Sequence, residues 1–254
     1  FAEKHNNEVS IKWDKRSLQA FADRPIAQMV EEYDLMVIDY PHVGEVSAKG
    51  LLHNFDVEKY SKALELLQKQ SVGLSHQSYN IDGHQWALAL DAATQVSCYR
   101  SDLITSLPKN WDDLFQLAQN KRVIWPLKPV HAISSFYSIY NNITEVFEPN
   151  DKDFIQNDFG IKTLQMMKLI SQHVPSECFD MDPIKTAEIL SEHDDFYYSP
   201  YTYGFSNYSR IDYRKNLLTY GDVIDLSGKG PDGTHLGGTG IAISNKSKNK
   251  DLAL

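Results

Sequence analysis

Tyr33-Asp34-Leu35-Met36-Val37-Ile38-Asp39-Tyr40-Pro41-His42 is the stretch on which the fold turns. Its centre is a near-continuous apolar run between turn-forming residues. Such runs suit central strands of a parallel sheet whose two faces are both covered. Tyr40-Pro41-His42-Val43-Gly44 then reads as a loop at the carboxyl end of that strand.

The neighbouring segments extend the pattern. Val9 to Trp13 alternates and reads as a strand, and Ser17 to Glu32 as a helix that restarts at Pro25. Lys59 to Gln68 is helical by pattern, and Asp82-Gly83 is a hairpin signal. Gln85 to Leu90 reads as a strand, continued by extended chain over Gln95 to Tyr99. A new start follows near Pro108, with Asn110 capping a helix over Trp111 to Gln119. Arg122 to Trp125 is a short strand. Val130 to Asn141, Gly160 to His173 and Pro183 to Glu192 are helices. Asp195 to Tyr198 reads as a strand leading into a tyrosine-rich loop. Gly221 to Leu226 and Gly240 to Ser244 are strands flanking a glycine-rich loop. Strands alternating with helices imply βαβ units and an open, mainly parallel sheet, repeated in two layers. The fold class is therefore α/β, two-lobed, with a cleft.

The chain of 254 residues is 42% hydrophobic, enough for one large core or two smaller ones. A net charge of −9 argues against general nucleic-acid binding, which needs a basic footprint. Lys246, Lys248 and Lys250 read as a solvated helix start. Cys98 and Cys178 form no C-x-x-C pair, so they are expected to be unpaired, buried thiols. No apolar run reaches the roughly 18 residues that span a bilayer. Phe1 to Asn7 reads as the last turn of a helix and Ser247 onward as one just starting, so flanking segments are expected.

In open α/β sheets, ligands sit at the carboxyl ends of strands. That rule selects Tyr40 to Gly44, Asp91 to Gln95, Ser199 to Tyr208, and Leu236 to Thr239, the last containing Gly238. Asp91 can accept hydroxyl hydrogen bonds, or can serve as a cap or surface ion pair. His42 reads as a ligand group or as a structural histidine. The run from Tyr197 to Tyr208, with Tyr201, Tyr203 and Tyr208, has a binding composition, the alternative being a packed corner. Gly237-Gly238-Thr239-Gly240 lacks the continuation of a phosphate loop and the spacing of a dinucleotide loop, and reads as close backbone approach at a hinge. No metal-ligand spacing or nucleophile motif is complete, so neither a cofactor nor a metal is expected. A glycosidase pair of Asp91 with Asp194 or Asp195 remains the enzymatic alternative.

Five pieces in order carry a family resemblance: IKWDKRSLQ at 11–19, YDLMVIDYPH at 33–42, QWALALDAA at 85–93, PKNWDDL at 108–114 and LGGTGIAIS at 236–244. With them the chain resembles the extracellular solute-binding proteins of bacterial ABC importers related to maltose-binding protein, of the type II periplasmic-binding fold. The resemblance implies a first lobe of residues 1–103 and 241–254 and a second of 104–240, joined by crossing strands. It implies no enzyme but a receptor that closes on a sugar or polyol, with Tyr40, His42, Asp91 and Gln95 from the first lobe, Tyr201, Tyr203 and Tyr208 from the second, and Gly238 beside them. It also implies a membrane permease as partner, a monomeric state, and a place outside the cytoplasm, in the periplasm or lipid-anchored at the cell surface. A sensor subunit that signals to a membrane kinase would share all these features.

Overall fold

A computed structural model describes residues 2–6, 9–16, 24–144 and 154–254. They form two compact units: unit 1 comprises the residues up to Ala92 together with Leu236–Leu254, and unit 2 comprises Ala93–His235.

Unit 1 is built on β1 (Leu35–Asp39), β2 (Leu52–His53), β5 (Leu88–Ala89) and β9 (Thr239–Ser244). The decisive apolar run is indeed a strand, but among the described strands it has no parallel partner, contrary to the expectation. β9 is central, with β1 on one side, and β2 and β5 on the other, all antiparallel to it. β1, β2 and β5 therefore run in one direction, and β9 comes from far along the chain to lie between them. Met36 and Ile38 of β1 are buried with Ile26, Met29, Val30, Val46, Tyr79 and Ala242. The helices of this unit include α1 (Ala2–His5), α2 (Ile26–Met29), α3 (Val43–Ala48) and α4 (Ser61–Gln70). α2 starts directly after Pro25; the rest of the helix expected over 17–32 falls partly on 17–23, outside the described residues. The expected loop at 40–44 is a 3₁₀ turn, Tyr40–His42, running straight into α3. Val9 to Trp13 is irregular rather than a strand, since no described strand pairs with it. The Asp82-Gly83 hairpin joins β3 (Asn80–Ile81) to β4 (His84–Gln85). Its central residues have φ of 55° and 79°, as a type I′ turn requires. The strand expected over 85–90 is broken into β4 and β5.

Unit 2 contains a three-stranded antiparallel sheet, β7 (Tyr198–Tyr203), β6 (Gln95–Tyr99) and β8 (Thr219–Gly221), in that order. The segment expected to be a tyrosine-rich loop is thus largely strand β7. Pro200 is tolerated because β7 carries a bulge there: Ser199 pairs with Cys98 and Thr202 with Val96, leaving Pro200 and Tyr201 opposite Ser97 alone. Arg122 to Trp125 makes one parallel bridge, Val123 to Tyr198, instead of a strand. The strand expected over 221–226 ends at Gly221. Around the sheet lie α5 (Trp111–Gln119), α6 (Pro129–Ile143), α7 (Asn157–Ser171) and α8 (Pro183–Glu192). Asn110 Oδ1 accepts the Asp113 N–H at 2.9 Å, the expected cap, and Asp182 does the same for Lys185 at 2.8 Å. The core gathers Leu114, Ile124, Trp125, Ile139, Ile170, Leu190, Tyr198 and Tyr201. Cys98 and Cys178 are both buried and unpaired. Arg100 is 2% exposed. It donates to Asp102 at 2.6 and 2.7 Å and to the carbonyls of Leu190 and His193 at the end of α8, tying β6 to that helix.

The last helix, α9 (Lys250–Ala253), belongs to unit 1 and is solvated, as the lysine pattern predicts.

Candidate functional site

The strand ends of unit 1 bring three of the predicted residues together. β1 ends at Asp39, which pairs with Thr239 at the start of β9, and β5 leads into Asp91. The Tyr40 N–H donates to the Gly238 carbonyl at 3.0 Å. Asp91 Oδ1 accepts the Thr239 N–H at 2.7 Å, and Oδ2 accepts the Thr239 hydroxyl at 3.1 Å. This carboxylate is exposed, and its orientation is fixed by one residue. An ionised carboxylate has about four acceptor sites, so roughly two remain open after those bonds.

Tyr79 completes the cluster, a residue the sequence pattern does not single out. Its hydroxyl donates to the Gly238 carbonyl at 3.2 Å, and its ring meets Tyr40 edge to face at 6.2 Å. Burial, and then the charges of Asp39 and Asp91, push the Tyr79 phenol upward. Two glycines make this packing possible. Gly238 has φ of +121°, and a Cβ there would fall 2.8 Å from the Asp91 carbonyl oxygen; a Cβ on Gly240 would fall 2.8 Å from the Tyr79 ring. The reading of this loop as close backbone approach therefore has a concrete cause.

Asp39 is the second carboxylate. Burial raises its pKa, the Asp91 charge adds to the rise, and His42 opposes it. His42 thus stands near the pair, at the C-terminal end of the Tyr40 turn. What the cluster offers chemically is a set of fixed acceptors beside a half-buried aromatic edge, suited to hydroxyl donors.

In unit 2 the predicted residues are placed differently. Gln95 belongs to this unit and is 2% exposed. Its amide donates to Ser135 Oγ at 3.2 Å, and its carbonyl accepts from Ser138 Oγ at 2.7 Å, so α6 already satisfies it. Trp125 Nε1 also donates to Ser135 Oγ, at 3.2 Å. Tyr201 is 1% exposed, with its ring 6.0 Å from Trp125. Its hydroxyl is buried with no hydrogen-bond partner among the described residues, and burial raises its pKa. Tyr208 is buried too; its hydroxyl donates to Glu188 at 2.5 Å, in a group with Arg214 and Tyr213. Tyr203 is half-buried and faces His235 Nε2 at 3.4 Å. Tyr201 and Tyr208 thus match the packed-corner reading of the tyrosine segment. Two open hollows of this unit, about 470 and 710 Å³, are lined by other residues. Asp194, one partner of the enzymatic alternative, is ion-paired with Arg100 at 3.0 Å.

Among the described residues no cluster of His, Cys, Asp and Glu could hold a metal ion, and no helix is long and apolar enough to cross a membrane.

No family model and no curated protein matches the chain. Solved structures do. One is an ABC transporter solute-binding protein from Agrobacterium vitis S4 with bound D-mannitol, at 16% identity and a TM-score of 0.74 over 99% of this chain and 65% of that one. A second is maltose-bound MalE3 of T. maritima, at 16% identity and a TM-score of 0.72 over 99% of this chain and 64% of that one. A third, from Agrobacterium radiobacter K84 in complex with ribitol, has 18% identity and a TM-score of 0.74 over 92% and 63%. The chain thus spans somewhat under two thirds of the length of these neighbours. It has the type II periplasmic-binding fold of the ABC transporter solute-binding proteins.

Proposed function

We propose that the chain is the ligand-binding part of a non-enzymatic receptor for a sugar or polyol, serving an ABC importer outside the cytoplasm. The observation that carries the reading is the strand-end cluster of unit 1. There Asp91, oriented by both bonds from Thr239, keeps acceptor sites open beside Asp39, Tyr40, His42 and Tyr79. Charge-assisted hydrogen bonds from ligand hydroxyls to such carboxylates are the stronger kind. Of the predicted tyrosines of unit 2, Tyr203 is half-buried where Tyr201 and Tyr208 are buried, and it is the one retained as a ligand candidate. The bound mannitol, ribitol and maltose of the three neighbours favour the same ligand class.

Capture by hinge bending at the two chain crossings belongs to the same proposal. Shifting such an equilibrium from 1:99 to 99:1 needs about 10⁴-fold preference, or about 5.5 kcal/mol. A few hydroxyl bonds to charged acceptors, at about 1.5–3 kcal/mol each, supply that. The partner is a membrane permease that recognises the liganded form.

Calorimetry against mannitol, ribitol, maltose, amino acids and short peptides tests the reading. The expected result is saturable binding of a sugar or polyol, weakened about tenfold or more by Asp91→Asn. Binding of amino acids or peptides with no response to any sugar or polyol overturns it. Turnover of a glycoside, abolished by the same substitution, would establish the enzymatic alternative instead.

A further inference from the structure

The chain passes between the two units at Ala92–Ala93 and again at His235–Leu236. Just inside unit 2, these two passages are fastened to each other. Thr94 Oγ1 lies 2.6 Å from Thr234 Oγ1 and 3.3 Å from the His235 carbonyl oxygen. The geometry lets the Thr94 hydroxyl donate to that carbonyl while accepting from Thr234. The His235 ring reaches back to strand β7, where Nε2 meets the Tyr203 hydroxyl at 3.4 Å. Its other nitrogen, Nδ1, is buried and has no hydrogen-bond partner among the described residues.

That arrangement holds a neutral imidazole and has no provision for a charged one. β7 presents the Tyr203 phenol to the ring, while the Thr94 hydroxyl, bonded to that of Thr234, meets the backbone carbonyl of His235. Among the described residues no carboxylate or cation biases it; burial alone moves its pKa, downward. Protonation would put an N–H cation at Nδ1 with neither acceptor nor counter-charge, and would oblige Tyr203 to accept rather than donate. An unpaired buried charge is costly, and the simplest relief is for the ring to leave for water.

We propose that His235 is a proton-operated release for this fastening: neutral, it holds the second passage against Tyr203 and Thr94; protonated, it swings out and frees the segment at 234–236. The sign follows from linkage. Because the held state disfavours the proton, it is fully populated above the ordinary histidine value of about 6.5 and is lost as the pH falls below it. One proton supplies at most about a tenfold change per pH unit. A receptor with this device would hold its ligand at neutral pH and loosen in acid, a consequence that rests on the receptor reading.

The test uses ligand-free protein, so the two readings fail separately. Methyl-labelled protein is followed by NMR from pH 8 to pH 5. The expected result is a strong NOE between the Thr94 and Thr234 methyls at pH 7.5. That NOE should fall at least fivefold by pH 5, with the midpoint of the His235 Cε1–H titration, and that midpoint should lie below the ordinary value. His235→Gln, which cannot titrate, should keep the NOE constant across the range. An NOE that is unchanged in the wild type, a His235 midpoint at or above the ordinary value, or a pH dependence that survives in His235→Gln overturns the proposal. Should His235→Gln fail to fold, the wild-type titration decides alone.

Discussion

The strand-end cluster of unit 1 and the tyrosine strand of unit 2 drew equal attention in the sequence, and they use their polar groups in opposite ways. In unit 1 an exposed carboxylate is oriented by a single residue and keeps acceptor sites open. In unit 2 the polar groups of Gln95, Ser135, Ser138 and Trp125 are turned inward and satisfy one another. Tyrosine on a strand is as much a packing residue as a binding one; what separates the two uses is whether the hydroxyl is left a path to water.

That contrast can be broken in order of expected effect. The largest is Arg100→Ala. It strips donors from the Leu190 and His193 carbonyls and leaves a void, and should destabilise unit 2 by about 3 kcal/mol in urea denaturation. A change below about 1 kcal/mol would mean the inward polar groups of that unit are incidental. Gly238→Ala comes next. Positive φ and the approach to the Asp91 carbonyl should together cost about 2 kcal/mol and remove ligand binding. Unaltered binding would place the ligand elsewhere. Asp91→Ala leaves the Thr239 N–H unpaired and should cost about 1–2 kcal/mol, whereas Asp91→Asn keeps an acceptor and should retain most of the stability while losing affinity.

Asp39 gives a smaller effect, of predictable sign. Burial raises its pKa in the folded protein above the unfolded value, so it favours folding when protonated. That contribution disappears as the pH rises from the unfolded value of about 3.9 through the raised one. At pH 7 its charge opposes folding, so Asp39→Asn should raise the melting temperature there and not at pH 3. An equal shift at both pH values would refute the burial argument. The smallest effect is Tyr201→Phe. The hydroxyl has no partner to lose, so stability and affinity should both stay within about 0.5 kcal/mol of wild type. A tenfold loss of affinity would return Tyr201 to the ligand.

Local signals were legible in the sequence where a few neighbouring residues settle the geometry. Asn110 before Trp111-Asp112-Asp113 fixes a helix start, and Asp82-Gly83 fixes a turn. The apolar run at 35–39 was correctly a strand. The sheet around it was misread as parallel because β9, from residues 239–244, lies between strands that do run in one direction. Periodicity cannot say which strand is inserted where. The tyrosine segment was misread as a loop because Pro200 and Gly204 are turn formers in isolation, whereas a bulge opposite Ser97 absorbs the proline. Gln95 was assigned to the ligand because nothing local reveals Ser135 and Ser138, some forty residues on. Tyr79 was not legible: Gly240 lacks a side chain where its ring lies, but connecting the two takes the fold.

The central position of β9 also governs how the protein must be made. Ile38 pairs with Gly240, about 200 residues later, whereas unit 2 is one uninterrupted segment. At synthesis rates of roughly 5–20 residues per second, β1 waits about 10–40 s for the strand that joins it to β2 and β5. Unit 2 is complete before that strand leaves the ribosome. The strand edges of the first unit therefore stay open while the whole of the second is made.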